Sequence, residues 1–384
     1  MKHHDKKKIG IIGTGFIGDG LKKTINGLDD MVVSSVLTSR HLDHFPDDGV
    51  YTNSPQELID KSDLVVECNG DPVYATEIVN NALTAGRPVV TMDSELHITS
   101  GSFLSTRGLI TEAEGDQPGA LAALNHDLVT MGFKPLVYGN LKGFLNLDPT
   151  LEDMQYWSKV GGISLDQVTS FTDGTKIQIE QVLVANGLGA TIGKRGMFGF
   201  ESEDIDEGSI RLADKAKELG KPISDYLLCS PTAKKKFPAG IFITAEYDQI
   251  QAPALKYLKL GPGPYYTMIR NYHLCHLEIP ITIRHVFKNG EILLNNSDHP
   301  VASVGVIAKK PIPAGTFLER SERNFQIRGE AILIKDHPNH VPVGLISDVV
   351  IKRQVEPGQM LTFDDVDVPD SLALRAWRYT LCLA

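Results

Sequence analysis

Residues 8–20 read KIGIIGTGFIGDG, and this stretch decides how the first third of the chain is interpreted. A short apolar run predicts a buried strand over residues 8–12, and a helical pattern follows over residues 16–25. The glycines between them have the spacing G-x-G-x-x-G, which allows a tight turn, a close backbone approach to a pyrophosphate, and close packing of helix on strand. The pattern predicts a dinucleotide-binding turn that consists of Gly13, Thr14, Gly15, Phe16, Ile17 and Gly18.

Apolar runs and helical patterns alternate beyond this turn. Strands are predicted over residues 32–37, 63–67, 87–92 and 108–113. One helix is predicted to begin after Ser54, where serine can cap and proline fits the first turn, and another spans residues 72–85. This alternation is typical of an α/β fold, in which helices cover both faces of a doubly wound parallel sheet of the Rossmann type.

The remainder of the chain has two different textures. Helical patterns over residues 151–159, 175–190 and 206–219, together with one strand at 240–247, predict an α+β substrate domain. From about residue 300, short strands between turns rich in proline and glycine predict a small all-β module. The predicted domains span residues 1–146, 147–290 and 291–384.

The composition restricts the class of protein. The 384 residues include 38 basic and 48 acidic side chains, a formal net charge of −10, which disfavours nucleic acid and anionic membrane as partners. The four cysteines are far apart and form no C-x-x-C pair, which excludes a disulfide scaffold and is typical of a reducing compartment. No apolar run approaches the roughly 18 residues of a membrane helix, and a glycine-rich stretch follows the basic start MKHHDKKK. The sequence therefore predicts a cytoplasmic, soluble, multidomain protein.

The end of the second predicted strand bears on the choice of cofactor. An NAD site usually has an acidic residue there for the ribose hydroxyls, whereas this chain has TSRH at residues 38–41. A hydroxyl followed by a guanidinium favours the 2′-phosphate of NADP(H), with Ser39 and Arg40 as its ligands. The alternative is that Arg40 is a solvated loop cation. Asn69 and Gly70 follow the next strand and are predicted to lie on the nicotinamide side of the crevice.

Candidate reactive side chains occur in three short stretches that contain glycine: GDQPG at residues 115–119, GNLKG at 139–143 and TDGTK at 172–176. Lysines and carboxylates beside a nicotinamide can protonate an alkoxide, hold a substrate phosphate or bind a divalent cation. Lys142 is the favoured candidate, because its flanking glycines bring the backbone close. The others have ordinary alternatives: Asp116 as a turn residue, Asp173 as a helix cap, and Lys176 with Glu180 as a solvated i,i+4 pair.

These motifs occur together with GPGPYY at residues 261–266 and with the turns PIPAG, VPVGL and EPGQML within residues 300–370. In this combination the chain resembles the homoserine-dehydrogenase-like oxidoreductases that have a C-terminal SAF domain, a group that includes the 1-deoxy-D-xylulose-5-phosphate reductoisomerase-like enzymes. The resemblance covers nearly the whole chain. It implies a Rossmann domain, an α+β domain for catalysis and dimerisation, and a small β-clip SAF module. Homoserine dehydrogenases themselves have a Thr-Thr-Asn run, whereas this chain has NLK at residues 140–142.

The function expected from the resemblance is NADPH-dependent reduction of the carbonyl of a small sugar phosphate or polyol precursor, with or without a rearrangement of the carbon skeleton. For a rearrangement, a divalent cation such as Mg²⁺ or Mn²⁺ can bridge hydroxyl and carbonyl oxygens. The alternatives are reduction of an amino-acid semialdehyde and a non-catalytic NADP-binding sensor. A homodimer or larger homo-oligomer is expected. The side chains predicted to act in catalysis are Lys142, Asp173, Lys176, Asp116 and Glu95, with Glu180 as an additional carboxylate.

Overall fold

The computed structural model describes residues 6–320 and 323–383. Residues 1–5 in the basic start of the chain, residues 321–322 and residue 384 lie outside the described residues, and so do the parts of the predictions that fall on them. A π-helical turn, His97–Gly101, connects the short helices Ser94–Leu96 and Ser102–Leu104 in the first domain. The elements of this domain are, in chain order, β1 (Lys7–Ile12), α1 (Phe16–Asn26), β2 (Met31–Leu37), β3 (Tyr51–Thr52), α2 (Pro55–Lys61), β4 (Leu64–Glu67), α3 (Pro72–Thr84), β5 (Val89–Thr91), α4 (Ser94–Leu96), α5 (Ser102–Leu104) and β6 (Ile110–Glu112).

The six strands of the first domain form one parallel sheet with the order β3-β2-β1-β4-β5-β6. β1 lies inside the sheet, where Ile9 pairs with Val33 on β2 and with Leu64 on β4. Aliphatic side chains are buried on both faces of the sheet, which explains why its strands have nearly continuous apolar sequences. The predicted α/β fold with a doubly wound parallel sheet is confirmed.

The second domain is built around a five-stranded mixed sheet with the order β11-β10-β7-β9-β8. Its elements are α6 (Gln117–Thr130), β7 (Lys134–Lys142), α7 (Leu151–Gly161), α8 (Leu165–Thr172), α9 (Thr175–Gly187), β8 (Phe200–Ser202), α10 (Ile205–Leu219), β9 (Ile223–Cys229), β10 (Ile241–Glu246), α11 (Ala252–Tyr257), β11 (Tyr265–Arg270) and α12 (Ile279–Asn289). Helices α6 and α9 pack on one face of the sheet and α10 packs on the other.

Two elements connect the first two domains. β7 falls within residues 1–146, the range predicted for the first domain, yet its hydrogen-bond partners are β9 and β10 of the second sheet. α12, at the end of the second domain, returns to the first sheet, and its residues Ile279 and Ile283 are buried in the same core as Ile9. The chain therefore passes between the domains after β6 and again before α12.

The C-terminal domain contains two small antiparallel sheets, β12-β14 and β13-β15-β16. Its elements are β12 (Ala302–Ala308), β13 (Phe317–Leu318), β14 (Ile327–Leu333), β15 (Val349–Ile351), β16 (Val366–Asp367) and α13 (Leu372–Leu381). Val182 and Leu183 of α9 share one apolar core with Val304 of β12 and Trp377 of α13. The C-terminal domain is thus packed directly on α9. Among the described residues, no helix is both long enough and apolar enough to cross a membrane.

Candidate active site

The glycine turn between β1 and α1 has the geometry of an anion-binding turn. Gly13 has a φ of +110°, and a Cβ atom at Gly18 would lie 2.2 Å from the Gly13 carbonyl oxygen, so both positions require glycine. A Cβ atom at Gly15 would meet no atom within 4 Å. This open space lies directly before α1, whose N-terminus has no side-chain cap. Because uncapped N–H groups at a helix N-terminus attract negative charge, the turn fits the pyrophosphate of a dinucleotide.

The remaining members of this turn differ in their surroundings. The Thr14 hydroxyl lies 3.3 Å from the Thr38 hydroxyl at the end of β2. Ile17 packs against the core of the first sheet, whereas Phe16 is exposed and its ring meets the His276 ring edge-on at 5.6 Å between centroids. Thr14 and Phe16 therefore have accessible surface next to the space at Gly15.

The loop after β2 is fixed through its backbone and presents an unpaired cation. The Asn53 side-chain amide donates to the carbonyl oxygens of Thr38 (2.6 Å) and Arg40 (3.0 Å). Ser39 and Arg40 are exposed, and within the described residues the Arg40 guanidinium has no hydrogen bond or ion pair. The segment 38–41 contains no carboxylate. The end of β2 therefore presents a hydroxyl and a guanidinium, and the segment has no carboxylate to accept from ribose hydroxyl groups.

The loop after β4 carries Asn69 and Gly70 and is held from two sides. On the inner side, the backbone N–H of Asn69 donates to the buried Glu67 carboxylate (2.6 Å). On the outer side, the Arg320 guanidinium of the C-terminal domain donates to the Gly70 carbonyl oxygen and pairs with Asp71. The position of this loop at the carboxyl end of β4 therefore depends on a residue about 250 positions away in sequence.

A cluster of charged groups, the Lys176 cluster, lies in the second domain at the N-terminal end of α9 and consists of Lys176, Asp116 and Glu180. Lys176 Nζ lies 3.3 Å from Asp116 Oδ1 and 3.1 Å from Glu180 Oε1, and 4.8 Å from the centre of the Phe171 ring. Gly174, with a φ of +85°, turns the chain into α9. The Asp116 and Glu180 side chains are only 7% and 3% exposed, while that of Lys176 is 32% exposed. Lys176 is therefore the member of the cluster that reaches the surface.

Two amides complete the surroundings of Glu180. Asn140 Nδ2 donates to Glu180 Oε2 (3.0 Å). In the orientation that satisfies both of its neighbours, the Gln117 amide donates to Glu180 Oε1 (3.1 Å) and to Asp116. Burial raises the pKa of Glu180 to about 7, although the Lys176 charge opposes the shift. For Lys176, burial opposes the charged form, but the Asp116 and Glu180 carboxylates raise its pKa above the ordinary value.

Lys142, the last residue of β7, is in a different electrostatic setting. Its Nζ donates to the Phe171 carbonyl oxygen at 3.4 Å, and it forms no ion pair with any described residue. Burial lowers the pKa of Lys142; the Glu180 charge opposes this shift, and the nearby Lys176 charge adds to it. The site therefore combines one lysine that is held in its charged form with a second lysine that loses its proton more readily.

This cluster lies beside the carboxyl edge of the first sheet. Glu112 is the last residue of β6 and is fully buried. Burial, followed by the charges of Asp116 and Asp93, raises the pKa of Glu112 well above its usual range, while the Lys176 charge acts in the opposite direction. α4, which begins directly after β5, also contacts α9. The Lys176 cluster thus faces the edge at which open α/β sheets bind their ligands.

The structure brings together three of the five predicted catalytic residues, Lys142, Lys176 and Asp116, with Glu180. It places the other two elsewhere. Asp173 is fully buried and pairs with Lys309 of the C-terminal domain (2.7 Å), so it has no surface for a substrate. Glu95, in the first domain, pairs with Arg323 of the C-terminal domain (3.5 Å). Asn140 and Gln117 were not predicted, although both lie inside the glycine-containing stretches quoted above.

Comparison with known proteins agrees with a catalytic role for the second domain. The model of the family described as "Oxidoreductase DRL, catalytic domain" matches residues 115–279, which is less than half of the chain. This segment contains Asp116, Lys142, Lys176 and Glu180. A comparison with curated proteins finds no relative of this chain.

Solved structures with a similar arrangement include a probable dehydrogenase from Thermotoga maritima (14% identity, TM-score 0.44, covering 76% of this chain and 92% of that one). Another is the scyllo-inositol dehydrogenase from Lactobacillus casei with bound NAD(H) and scyllo-inositol (12% identity, TM-score 0.43, covering 77% and 93%). Similarities of this size carry no information about the substrate or cofactor of this chain. The match over residues 115–279 supports an enzyme of the oxidoreductase class, and the matched segment contains the Lys176 cluster.

Proposed function

We propose that the chain is an NADPH-dependent oxidoreductase that reduces the carbonyl group of a small phosphorylated sugar or polyol precursor. The observation that carries the proposal is a pair of lysines in different electrostatic settings: Lys176 forms ion pairs with two carboxylates, whereas Lys142 is near Glu180 but forms no ion pair with any described residue. This pair lies beside the carboxyl edge of a sheet whose glycine turn fits a dinucleotide. The match to an oxidoreductase catalytic domain supports the same reaction class.

The two lysines have separate roles in this proposal. When NADPH is bound, its nicotinamide supplies the hydride. The carbonyl oxygen of the substrate gains negative charge and requires a proton. Lys176, whose pKa is raised, keeps its proton and stabilises that charge electrostatically. Lys142, whose pKa is lowered by burial, is the better proton donor to the same oxygen.

The cofactor preference rests on the loop after β2. Ser39 and Arg40 would bind the 2′-phosphate, while the turn at residues 13–18 would hold the pyrophosphate. Asn69 and Gly70 would lie on the nicotinamide side. All of these residues lie at the carboxyl edge of the first sheet, which is the edge that the Lys176 cluster faces.

The substrate class rests on the two lysines. Their ammonium groups, at the C-terminal end of β7 and in the first turn of α9, can donate hydrogen bonds to a phosphate, while the Asp116 and Glu180 carboxylates offset their charge. Within the described residues, no group of three or more His, Cys, Asp or Glu side chains is arranged to hold a metal, and both site carboxylates pair with Lys176. We therefore assign no step to Mg²⁺ or Mn²⁺. The homo-oligomer and the cytoplasmic location stay predictions.

The test is oxidation of NADPH and of NADH by the purified protein with a panel of carbonyl compounds. The panel contains 1-deoxyxylulose phosphate, other pentulose and tetrulose phosphates, and aspartate semialdehyde, each with and without Mg²⁺ or Mn²⁺. Oxidation of NADPH with a ketose phosphate supports the proposal, and dependence on the cation adds the skeleton rearrangement of a reductoisomerase. Turnover of the semialdehyde alone replaces the proposed substrate class. Tight NADPH binding without turnover of any compound contradicts the enzyme in favour of a sensor.

A further inference from the structure

Helix α9 is held by the C-terminal domain on the side that does not carry the catalytic candidates. The Thr175 hydroxyl accepts a hydrogen bond from the Gly329 amide (2.9 Å), and the Gln178 side-chain oxygen accepts one from the Ala331 amide (2.9 Å). Both amides belong to β14. Because Lys176 and Glu180 are neighbours of these residues on the same two turns, the strand fixes the helix that carries them.

A buried ion pair holds the start of the same helix. Lys309 Nζ lies 2.7 Å from Asp173 Oδ2, and the two side chains are 3% and 0% exposed. The same ammonium donates to the Asn324 carbonyl oxygen (2.6 Å), and the Asn324 side chain donates to Asp166 on α8 (2.7 Å). Asp173 also accepts from the Thr175 amide (2.9 Å). The ammonium of Lys309 therefore connects the C-terminal domain to the turn between α8 and α9.

One arginine connects all three domains. Arg323 is 4% exposed, and its guanidinium lies 3.5 Å from Glu95 after β5 and 3.7 Å from Asp166 on α8. It also donates to the Val343 carbonyl oxygen within the C-terminal domain (3.1 Å). The side chain thus lies between the loop after β5, on the cofactor side, and the helix pair α8–α9, on the substrate side.

We infer that the C-terminal domain is a positioning element for the active site, in which Lys309 holds the turn that begins α9 and Arg323 holds α8, which leads into that turn, next to Glu95 in α4. Lys309 and Arg323 are positioning residues, because their carboxylate partners are Asp173, Glu95 and Asp166 and neither contacts Lys142 or Lys176. The catalytic consequence rests on the proposed function, whereas the mechanical consequence does not. Without these two contacts, the hydrogen bonds of the first turn of α9 should open more often.

The experiment compares amide hydrogen exchange in the full chain and in variants. Lys309→Met/Asp173→Asn removes both charges, so that no unpaired carboxylate stays buried. The control is Arg353→Met/Asp365→Asn, which removes an ion pair of 2.5 Å in the same domain but away from α9. Its carboxylate is as buried as that of Asp173, while its guanidinium is 59% exposed. Lys309→Arg and Arg323→Lys are milder variants that keep the charge, and they replace the double variant if it fails to fold.

We expect exchange at residues 175–180 to be at least tenfold faster in Lys309→Met/Asp173→Asn, unchanged in the control, and faster by a smaller factor in Lys309→Arg and in Arg323→Lys. If the enzyme turns over NADPH, kcat should fall at least tenfold in the same variant while the Kd for NADPH stays within twofold. Exchange at residues 175–180 that is unchanged, or equally faster in the control, would overturn the inference. Absence of turnover in the unmodified protein would instead refute the proposed function and leave the exchange result intact.

Discussion

Replacement of Gly15 by alanine should weaken cofactor binding while leaving folding nearly unchanged. Gly15 has a φ of −81°, which alanine adopts readily, and the added Cβ would meet no protein atom within 4 Å. Alanine is worse than glycine as an N-cap by a few tenths to about 1 kcal/mol. The lower freedom of the unfolded chain offsets this by about 0.4–1 kcal/mol. The melting temperature of Gly15→Ala should therefore stay close to that of the unmodified protein.

NADPH binding should respond quite differently. The new methyl group fills the space through which a pyrophosphate would approach the backbone N–H groups before α1. A hydrogen bond to a charged group contributes about 1.5–3 kcal/mol, so loss of one corresponds to a roughly 10- to 150-fold higher Kd. The assay is a fluorescence titration of NADPH with the full chain, accompanied by a thermal melt of each variant.

Two other glycines of the same helix provide the controls. At Gly27, after the C-terminal end of α1, a Cβ would meet only the Thr24 carbonyl oxygen at an ordinary 3.4 Å, so Gly27→Ala should change neither stability nor NADPH affinity. At Gly18 a Cβ would lie 2.2 Å from a backbone oxygen, so Gly18→Ala should destabilise the fold by about 1–3 kcal/mol or more. If Gly15→Ala binds NADPH as tightly as Gly27→Ala does, the pyrophosphate does not lie on this turn.

Three further changes test the remaining parts of the site. Arg40→Ala should weaken NADPH binding about tenfold and leave NADH binding unchanged in parallel titrations; equal losses for both would remove the 2′-phosphate assignment. Burial raises the pKa of Glu180 from 4.5 to about 7, so the free energy of unfolding is reduced as the pH rises through 7. Between pH 5 and 8.5, the free energy of unfolding of the unmodified protein should fall by about 2–3 kcal/mol relative to that of Glu180→Gln. The difference in melting temperature between the two proteins should therefore change with pH, and a difference that does not vary with pH would contradict this pKa. Lys142→Met should lower kcat about 10²- to 10⁴-fold without changing the Kd for NADPH, and a turnover rate near normal would exclude Lys142 as proton donor.

Local rules of sequence predicted the first domain well, because its elements are defined by neighbours in the chain. α2 begins at Pro55 with Ser54 as its N-cap, and the Ser54 hydroxyl accepts from the Glu57 amide at 3.2 Å. The Ser54 amide does not donate to the Glu57 carboxylate, as it would in a complete capping box. Instead, the Thr52 hydroxyl lies between the two groups: it donates to the Glu57 carboxylate (2.5 Å) and accepts from the Ser54 amide (3.0 Å). The Thr52 hydroxyl therefore changes the hydrogen bonds of the cap, whereas the first residue of the helix is the one predicted.

Contacts between distant parts of the chain were beyond such rules. Asp173 and Glu95 were predicted as catalytic because they lie near glycine turns or strand ends, where reactive groups are common. Their partners, Lys309 and Arg323, lie in another domain, 136 positions from Asp173 in the first case. Spacing along the sequence indicates which side chains share a helix face, but it does not indicate which remote cation meets a buried carboxylate. For the same reason, the strand that carries Lys142 was assigned to the first domain.

The central claim is that this chain transfers a hydride from NADPH to a substrate carbonyl next to Lys142 and Lys176. The most direct measurement uses NADPH that carries deuterium at the transferable position of the nicotinamide, followed by mass spectrometry of the products from the ketose phosphate panel. The account predicts an alcohol with one deuterium on the former carbonyl carbon, and a much smaller yield with Lys142→Met. Oxidation of the cofactor without deuterium in any product would contradict the account, and so would equal yields of labelled alcohol from the unmodified protein and from Lys142→Met.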